Sequence, residues 1–235
     1  MARPPKPASS KPRAPRRKPV EEVTPRVARR DRRRERSREE IVEAAGRVLV
    51  RNGVAGTTLE AVAKEVGLTK AAIYYYFASK DALLFEIMFG AFSAHAHAVH
   101  DAVEHTTAGT EAVGAIIRET VATFAPRMDD FRVAFLHGQI ARPGTLSIDP
   151  AQFARIRPLN DLAYAGATER LSADWEEQPG RAGVEPRIMA FLAQVSAIGL
   201  LTMKGLVESF GDPLLYSDEQ LVDALSRIFE AAATP

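Results

Sequence analysis

The chain has 235 residues, of which 46% are hydrophobic and 26% charged, and these values are ordinary for a soluble globular protein. It contains no cysteine, which excludes disulfide bonds and thiolate chemistry, and its basic N-terminus lacks the apolar segment of a secretory signal. The net charge of +1 hides an asymmetry, because residues 1–36 carry a net charge of +10 and the remainder carries −9.

The basic N-terminal segment covers residues 1–36. Residues 1–24 are rich in Pro, Lys, Arg and Ser and have little to bury, so we expect a disordered arm. Residues 26–36 are dense in arginine and are expected to be coil, or helix once their charge is neutralised. Such a segment favours a polyanionic partner such as DNA, while a solubilising tail is the alternative. The arginines of this segment that could bind DNA phosphates or enter a minor groove are Arg29, Arg30, Arg32, Arg33, Arg34 and Arg36.

Two capping boxes predict the starts of the first two helices. Ser37 stands three residues before Glu40, ahead of apolar residues at helical spacing. Thr57 stands three residues before Glu60 in the same way, and Gly53 between the two segments is the expected stop of the first helix.

A third and a fourth helix follow closely. Gly67 is the expected end of the second helix, Thr69 can cap a short third helix over residues 70–76, and Ser79 can cap a long fourth one. The second and third helices are separated by only about three residues, which is the spacing of a helix-turn-helix.

The third helix carries an unusual surface. On a helical wheel Ile73 and Phe77 fall on the side that should pack on the first two helices, while the other side holds a lysine, an alanine and two tyrosines. Small side chains let a helix approach a DNA groove, and Tyr or Lys side chains can reach phosphates. This pattern predicts a DNA-facing helix; an aromatic cluster against the next helix is the alternative.

The remaining chain is also predicted to be helical, over residues 111–125, 128–141, 160–175, 185–210 and 218–233, with prolines at the breaks. The fold class is therefore all-α. We expect the last two helices to form a dimer surface, with intrachain core as the alternative. The residues assigned to that surface are Ile198, Leu201, Gly205, Val207, Leu221, Leu225 and Ile228.

Large apolar side chains in this helical region are candidates for lining a cavity, although most residues at such spacing belong to a core. The candidates are Phe89, Phe92, Phe124, Met128, Phe131, Phe135, Tyr164, Trp175, Met189 and Met203, with the polar residues His137, Gln139, Asn160 and Gln194 able to orient a ligand. Their composition predicts an apolar or amphipathic ligand.

Neither a metal site nor an enzyme is predicted. His97, Asp101 and His105 are spaced four residues apart, with His95 and His100 nearby, but three ligands along two helical turns hardly converge on one ion, so a solvated helix end is the preferred interpretation. The chain lacks a phosphate-binding loop, a nucleophile elbow and a zinc-protease motif, and no cofactor is expected.

The stretch TTLEAVAKEVGLTKAAIYYYFASKDALL, with Asn52 and Gly53 upstream, resembles the DNA-binding module of the TetR family of bacterial regulators. The resemblance covers about fifty residues, Arg38 to Met88. It implies an N-terminal three-helix helix-turn-helix DNA-binding domain and a C-terminal helical ligand-binding and dimerisation domain. We therefore divide the chain into a basic arm at 1–36, a DNA-binding domain at 37–84 and a ligand-binding domain at 85–235.

The resemblance also implies individual roles in DNA binding. Phosphate contacts are expected from Thr58, Tyr76 and Lys80, and base contacts from Lys70, Ala71 and Ala72, with Tyr74 beside them. Thr69 and Tyr75 complete the expected DNA-binding set. The family often has Ser at the position of Thr69 and Gly at that of Ala71, and the added methyl group at Ala71 alters the closest approach to a base.

The function expected from this resemblance is a ligand-responsive repressor. It would bind a palindromic operator in double-stranded DNA as a homodimer and be released by a small apolar or amphipathic effector, in the bacterial cytoplasm at the nucleoid and without a membrane partner. Two alternatives stay open: a sequence-indifferent DNA-coating protein driven by the basic arm, and an activator of the same fold.

Overall fold

The computed structural model describes residues 25–136, 149–176, 184–210 and 216–233, and every regular element within these ranges is helical, which confirms the all-α prediction. A 3-10 turn at Ala125–Arg127 precedes α6, and a π-helical turn at Arg132–Leu136 follows it. The nine α-helices of these ranges are α1 Pro25–Gly56, α2 Leu59–Glu65, α3 Lys70–Tyr76, α4 Lys80–Glu104, α5 Gly109–Phe124, α6 Met128–Phe131, α7 Pro150–Glu176, α8 Pro186–Ser209 and α9 Asp218–Ala233.

Helix α1 begins at Pro25 instead of at Ser37, so the predicted capping box at Ser37 is wrong. Residues 26–36, for which we expected coil, or helix once their charge is neutralised, are helical because arginine is a good helix former and the segment continues a helix with a packed apolar face. The rest of the predicted arm, residues 1–24, lies outside the described residues. The chain divides into two units between Ser37 and Arg38.

The start of α2 lies one residue later than predicted. Thr58 is the N-cap, and its hydroxyl oxygen accepts a hydrogen bond from the Ala61 amide at 3.1 Å. Thr57 is instead buried, and its hydroxyl donates to the carbonyl oxygen of Gly53 at 2.8 Å. Gly53 has φ 65°, so the helical path is interrupted there as expected, although helical residues continue to Gly56.

The turn between α2 and α3 follows the sequence prediction. Gly67 has φ 67°, a conformation that side chains with a Cβ rarely adopt. The Thr69 hydroxyl caps α3 by accepting from the Ala72 amide at 3.2 Å, and Ser79 caps α4 in the same way at 3.1 Å. These two caps fix where the short α3 begins and where the long α4 leaves it.

Helix α7 begins ten residues before its predicted start and continues through Pro158, which we had placed at a break. Pro150 occupies the first position, where its missing N–H costs nothing. Pro158 removes the bond to the carbonyl of Ala154, but both residues are exposed, so water can satisfy that carbonyl.

Two hydrophobic clusters lie within the described part of residues 38–235, and α4 contributes to both, so it crosses the domain boundary that we expected between residues 84 and 85. The first cluster gathers side chains of α1, α2, α3 and the first half of α4, with Ile41, Val48, Val62, Ile73, Phe77, Leu84 and Phe85 fully or almost fully buried. The second gathers α4, α5, α7 and α8, with Val99, Ile116, Phe124, Phe131, Ala167, Leu171, Ala193 and Leu201 at its centre.

Helix α8 carries apolar side chains on two sides. By length and composition alone, both α4 and α8 are apolar enough to cross a membrane. One side of α8 is buried in the second cluster. The other side exposes an apolar row, which we call the α8 stripe, at the spacing of one helix face: Ile188, Leu192, Val195, Met203 and Leu206, with Gly199 between them.

The stripe is not the set of residues assigned to the dimer surface. Leu201 is completely buried within the chain, Ile198 packs on the second cluster, and a Cβ on Gly205 would lie 2.9 Å from Met128 Cε. The assignment of Leu201 is therefore wrong, whereas Ile198 and Gly205 are only partly buried and their place in a dimer surface stays a prediction. Since α8 carries apolar residues on both its buried and its exposed side, its pattern could not show which side faces the core.

Candidate functional site

The exposed face of α3 is the one drawn from the helical wheel. Ile73 and Phe77 are buried, whereas Tyr74 is 50% exposed and Tyr75 is 65% exposed. Lys70 and Ala71 are also exposed, and Ala72 is partly so. The helix therefore presents a lysine, small side chains and two tyrosine hydroxyls to its surroundings.

Tyr76 differs from its two neighbours because it is half-buried against the first cluster. Its ring meets the edge of the Tyr75 ring, with the centroids 5.1 Å apart and the planes nearly perpendicular. This edge contact restrains Tyr75, so two of the three tyrosines are held by the protein itself.

The lysines assigned to DNA already have partners within the protein. The Lys70 ammonium donates to the Glu60 carboxylate, and that hydrogen bond raises the pKa of Lys70. The Lys80 ammonium donates to the carbonyl oxygen of Val54 at 2.5 Å and lies 3.5 Å from that of Ala55, so it ties the end of α1 to the start of α4. Thr58 and Thr69 use their oxygens as caps, which leaves each hydroxyl hydrogen available to a phosphate.

Glu86 on α4 joins three helices through one carboxylate, and sequence reasoning missed it. Arg155 of α7 donates to both carboxylate oxygens, at 2.5 and 3.0 Å, and Arg38 of α1 lies 2.6 Å from one of them. Burial would raise the pKa of Glu86, but the hydrogen bonds from Arg155 and Arg38 outweigh it and lower that pKa. Arg38 also lies over the ring of Phe77, at the end of α3.

Replacing Glu86 by glutamine should therefore destabilise the protein by about 1–2 kcal/mol at pH 7, because two arginines lose a charged acceptor. A carboxylate with a lowered folded-state pKa contributes stability above its unfolded pKa and loses it as pH falls through the folded pKa. Urea unfolding at pH 7 and pH 3 should show that the difference between wild type and Glu86→Gln shrinks at the lower pH.

Glu104 supplies a control on the same helix. Its pair with Arg170 is longer, at 3.5 Å, and its side chain is 53% exposed, so Glu104→Gln should change the free energy of unfolding by less than about 0.5 kcal/mol. Equal effects of the two substitutions would contradict a special role for Glu86.

A cavity of about 370 Å³ lies between α4, the π-helical turn, α7 and α8. This volume is at the lower end of ligand sites in proteins. Its wall is mostly apolar and consists of Met88, Phe92, His95, Ala96, Ala134, Phe135, Phe153, Ile156, Leu159, Asn160, Ala163, Tyr164, Phe191, Gln194, Val195 and Ile198.

Five of the predicted cavity residues lie in this wall: Phe92, Phe135, Tyr164, Asn160 and Gln194. Seven others do not: Phe124, Phe131 and Met189 are buried in the second cluster, Met128 and Trp175 pack against it, Phe89 stacks on Phe85 in the first, and Met203 is exposed on α8. Except for Met203, these side chains fill the space between helices, which the sequence pattern cannot distinguish from lining a cavity. His137 and Gln139 lie outside the described residues.

His95 was expected at a solvated helix end, and that expectation is wrong because the ring is 3% exposed and lines the cavity. Burial lowers the pKa of His95 to about 4, so the ring is neutral at pH 7. Its Nε2 lies 3.0 Å from the Thr120 hydroxyl oxygen. His97 and His105 bond instead to carbonyls of their own helix, and the described ranges contain no cluster of metal-binding side chains.

A second polar pair stands across the cavity. The Tyr164 hydroxyl donates to the Gln194 side-chain oxygen, and both residues are buried. Burial raises the pKa of Tyr164 to about 12, so it stays neutral. The cavity thus combines an apolar wall with a few fixed, uncharged polar groups, an arrangement that can bind and orient a small molecule.

Comparisons with known proteins agree with this architecture. Residues 41–87 match the family described as bacterial regulatory proteins, tetR family. The HTH-type transcriptional regulator Rv1816 of Mycobacterium tuberculosis is 38% identical over 85 residues, which are 36% of each chain. The chain therefore covers only about a third of the length of the curated relatives it matches.

Solved structures extend the likeness in fold to most of the chain. A TetR/AcrR-family regulator from Thermobifida fusca superposes with a TM-score of 0.62 at 21% identity, covering 83% of this chain and 96% of the other. The regulator FadR of Bacillus subtilis, solved in complex with stearoyl-CoA, gives a TM-score of 0.63 at 14% identity, with coverages of 83% and 98%. At these identities the likeness establishes the fold.

Proposed function

We propose that this TetR-family protein is a ligand-responsive repressor that binds a palindromic operator as a homodimer. The observation that carries the proposal is the exposed face of α3, which lies within the matched residues 41–87 and presents Lys70, Ala71, Tyr74 and Tyr75. We assign DNA binding to residues 37–84 and effector binding and dimerisation to residues 85–235, with residues 1–36 as a basic accessory segment.

The α8 stripe supports the dimer. Its apolar side chains are 41–52% exposed on one helix face, and Ile228 of α9 is 64% exposed. Exposed apolar side chains grouped on one helix face are typical of an interface between chains. A two-fold dimer would carry two copies of α3, which can read two half-sites about one DNA turn apart.

The cavity supports release by a small molecule. The stearoyl-CoA complex of FadR shows that a protein of this fold binds such a molecule. In this chain the cavity wall includes Phe153 and Ile156, which flank Arg155, and Arg155 is joined through Glu86 to Arg38. An effector that binds more tightly to one arrangement of α7 and α4 would shift the protein away from the operator-binding arrangement.

The first experiment selects fragments of sheared genomic DNA with the purified protein at physiological salt. A specific regulator should recover fragments that share a palindrome. Tyr74→Ala should then weaken binding to that site about thirtyfold, since one lost contact in each of two subunits costs roughly 2 kcal/mol in all. Tyr216, which is 60% exposed and lies outside the DNA-binding residues, supplies a matched control, and Tyr216→Ala should bind normally.

Fragments without a shared sequence would instead indicate a DNA-coating protein driven by the basic segment. In that case replacing Arg29, Arg30, Arg32 and Arg33 by glutamine should abolish most binding, while Tyr74→Ala should change little. Transcription in vitro from a promoter carrying the recovered site separates the remaining alternative, because a repressor lowers the transcript level and an activator raises it.

A further inference from the structure

We propose that the cavity binds an uncharged, largely apolar molecule whose hydroxyl or N–H group donates a hydrogen bond to Nδ1 of His95. The inference rests on the proposed function insofar as it names the effector class of the same cavity. It goes further by assigning one specificity-determining atom. Three features of the wall carry it.

The first feature is a hydrogen-bond chain that fixes the His95 tautomer. The Thr120 hydroxyl donates its one hydrogen to the Ile116 carbonyl oxygen at 2.7 Å. It can therefore only accept from His95, whose Nε2 lies 3.0 Å away, so Nε2 carries the proton. In a neutral ring Nδ1 is then a bare acceptor, and it has no hydrogen-bond partner among the described residues.

The second feature is the cost of leaving that acceptor unused. His95 is buried and packs beside the Phe124 ring, with the ring centroids 5.3 Å apart. Among the described residues the buried side-chain polar atom without a partner is the Ser226 hydroxyl oxygen, so Nδ1 of His95 is accessible, and a ligand donor would replace the water that can reach it. A ligand lacking a donor would cover Nδ1 without satisfying it, and this creates selectivity.

The third feature is that the described wall offers no charged side chain that could pair with a charged ligand. None of the described wall residues is a lysine, an arginine or a carboxylate, and Tyr164 and His95 are both neutral at pH 7. A carboxylate or phosphate placed in this wall would lose its hydration without gaining an ion pair. A carboxylate would also bring an acceptor against the acceptor Nδ1. The described wall therefore selects against anions and favours a neutral donor.

Three probes of equal chain length separate these features: octan-1-ol has a donor, 1-methoxyoctane has only an acceptor, and octanoate is charged at pH 7. Calorimetric titration of the full-length protein should give a dissociation constant for octan-1-ol at least about tenfold lower than for either of the others. His95→Phe, which keeps an apolar ring, should raise the octan-1-ol constant to that of the ether and leave the ether unchanged.

Thr120→Val provides a second variant with a positioning role. It removes the acceptor that holds the proton on Nε2, so it should weaken octan-1-ol binding while leaving 1-methoxyoctane unaffected. A neutral core histidine without a ligand role would leave both probes equally affected by each substitution. Circular dichroism confirms that the variants are folded before titration.

The inference is overturned if octanoate or the ether binds as tightly as octan-1-ol, if His95→Phe leaves the preference intact, or if none of the three probes binds. Binding of the selected DNA site, measured on the same preparation without any probe, reports separately on the proposed function. A protein that binds DNA specifically but shows no preference for the alcohol would refute this inference alone.

Discussion

Replacing Leu192 and Met203 together by glutamate is expected to give a folded monomer whose affinity for the selected operator is about 100-fold lower or more. Both side chains belong to the α8 stripe and are 41% and 52% exposed within one chain, so the isolated fold tolerates the change. In a two-fold dimer each substitution occurs twice, and four carboxylates would be buried against apolar side chains.

The loss of DNA affinity follows from the loss of the second half-site. Two linked recognition helices gain about 10²–10⁴ in affinity over one, provided that both can engage the DNA. Sedimentation equilibrium measures the mass, and a mobility-shift titration measures the affinity. The double variant should also leave the far-ultraviolet circular dichroism unchanged.

Val50→Glu is the matched control for oligomeric state, because Val50 is 56% exposed but belongs to α1. It should remain dimeric. Flotation with lipid vesicles tests whether a membrane, instead of a second chain, covers the exposed apolar side of α8. A wild-type protein that sediments as a monomer and floats with vesicles would refute the dimer and indicate a membrane contact through α8.

The second large effect is an acid-sensitive stability that depends on His95. Its folded-state pKa is lowered to about 4 by burial, whereas an unfolded histidine titrates near 6.5. Between these values the unfolded chain binds a proton that the native ring does not, so the native state loses stability as pH falls. Linkage gives a loss of about 2 kcal/mol at pH 5 and about 3 kcal/mol at pH 4 from this one residue.

His95→Gln should remove most of this pH dependence, because the amide keeps a donor for Thr120 but does not titrate. Urea unfolding at pH 7, 6 and 5, at one protein concentration, measures this pH dependence of the free energy of unfolding. The wild-type advantage over the variant should shrink by about 2 kcal/mol between pH 7 and pH 5. Tyr164, the other ionisable side chain of the described cavity wall, stays neutral throughout this range.

His97→Gln is the control for this measurement, since His97 lies on the same helix but is exposed. The free energy of unfolding of His97→Gln should differ from that of the wild type by the same amount at all three pH values. Parallel profiles for wild type and His95→Gln would mean that the buried ring accepts a proton in the native state, and the neutral tautomer would be wrong.

Helix α3 and its exposed face could be predicted from the sequence because their signals are local. Thr69 and Ser79 each cap a helix through a bond to an amide three residues away, and Gly67 marks a turn that needs positive φ. The alternation of buried Ile73 with exposed Tyr74 follows from helical periodicity alone. No distant residue is needed to establish any of these features.

The cavity could be predicted only in part, because it depends on how distant helices pack. Phe92 and Phe124 are equally apolar and lie on consecutive long helices, yet one lines the cavity and the other fills the core. His95 lies in a histidine-rich segment whose sequence indicates a solvent-exposed surface. Only the packing of α5 against α4 buries it beside Thr120. Glu86 likewise acquires its role from Arg155, which lies 69 residues away in the chain.

Phe191 and Val195 belong both to the cavity wall and to the exposed apolar surface of α8. A second chain seated on the α8 stripe would cover Val195, which belongs to the stripe, and so complete one edge of the cavity. Ligand occupancy and self-association would then be thermodynamically linked, and each would strengthen the other by the same factor. Dilution of the protein below its dimerisation constant would then weaken its binding of the effector as well as its binding of DNA. The cellular abundance of the protein would therefore set the effector concentration to which it responds.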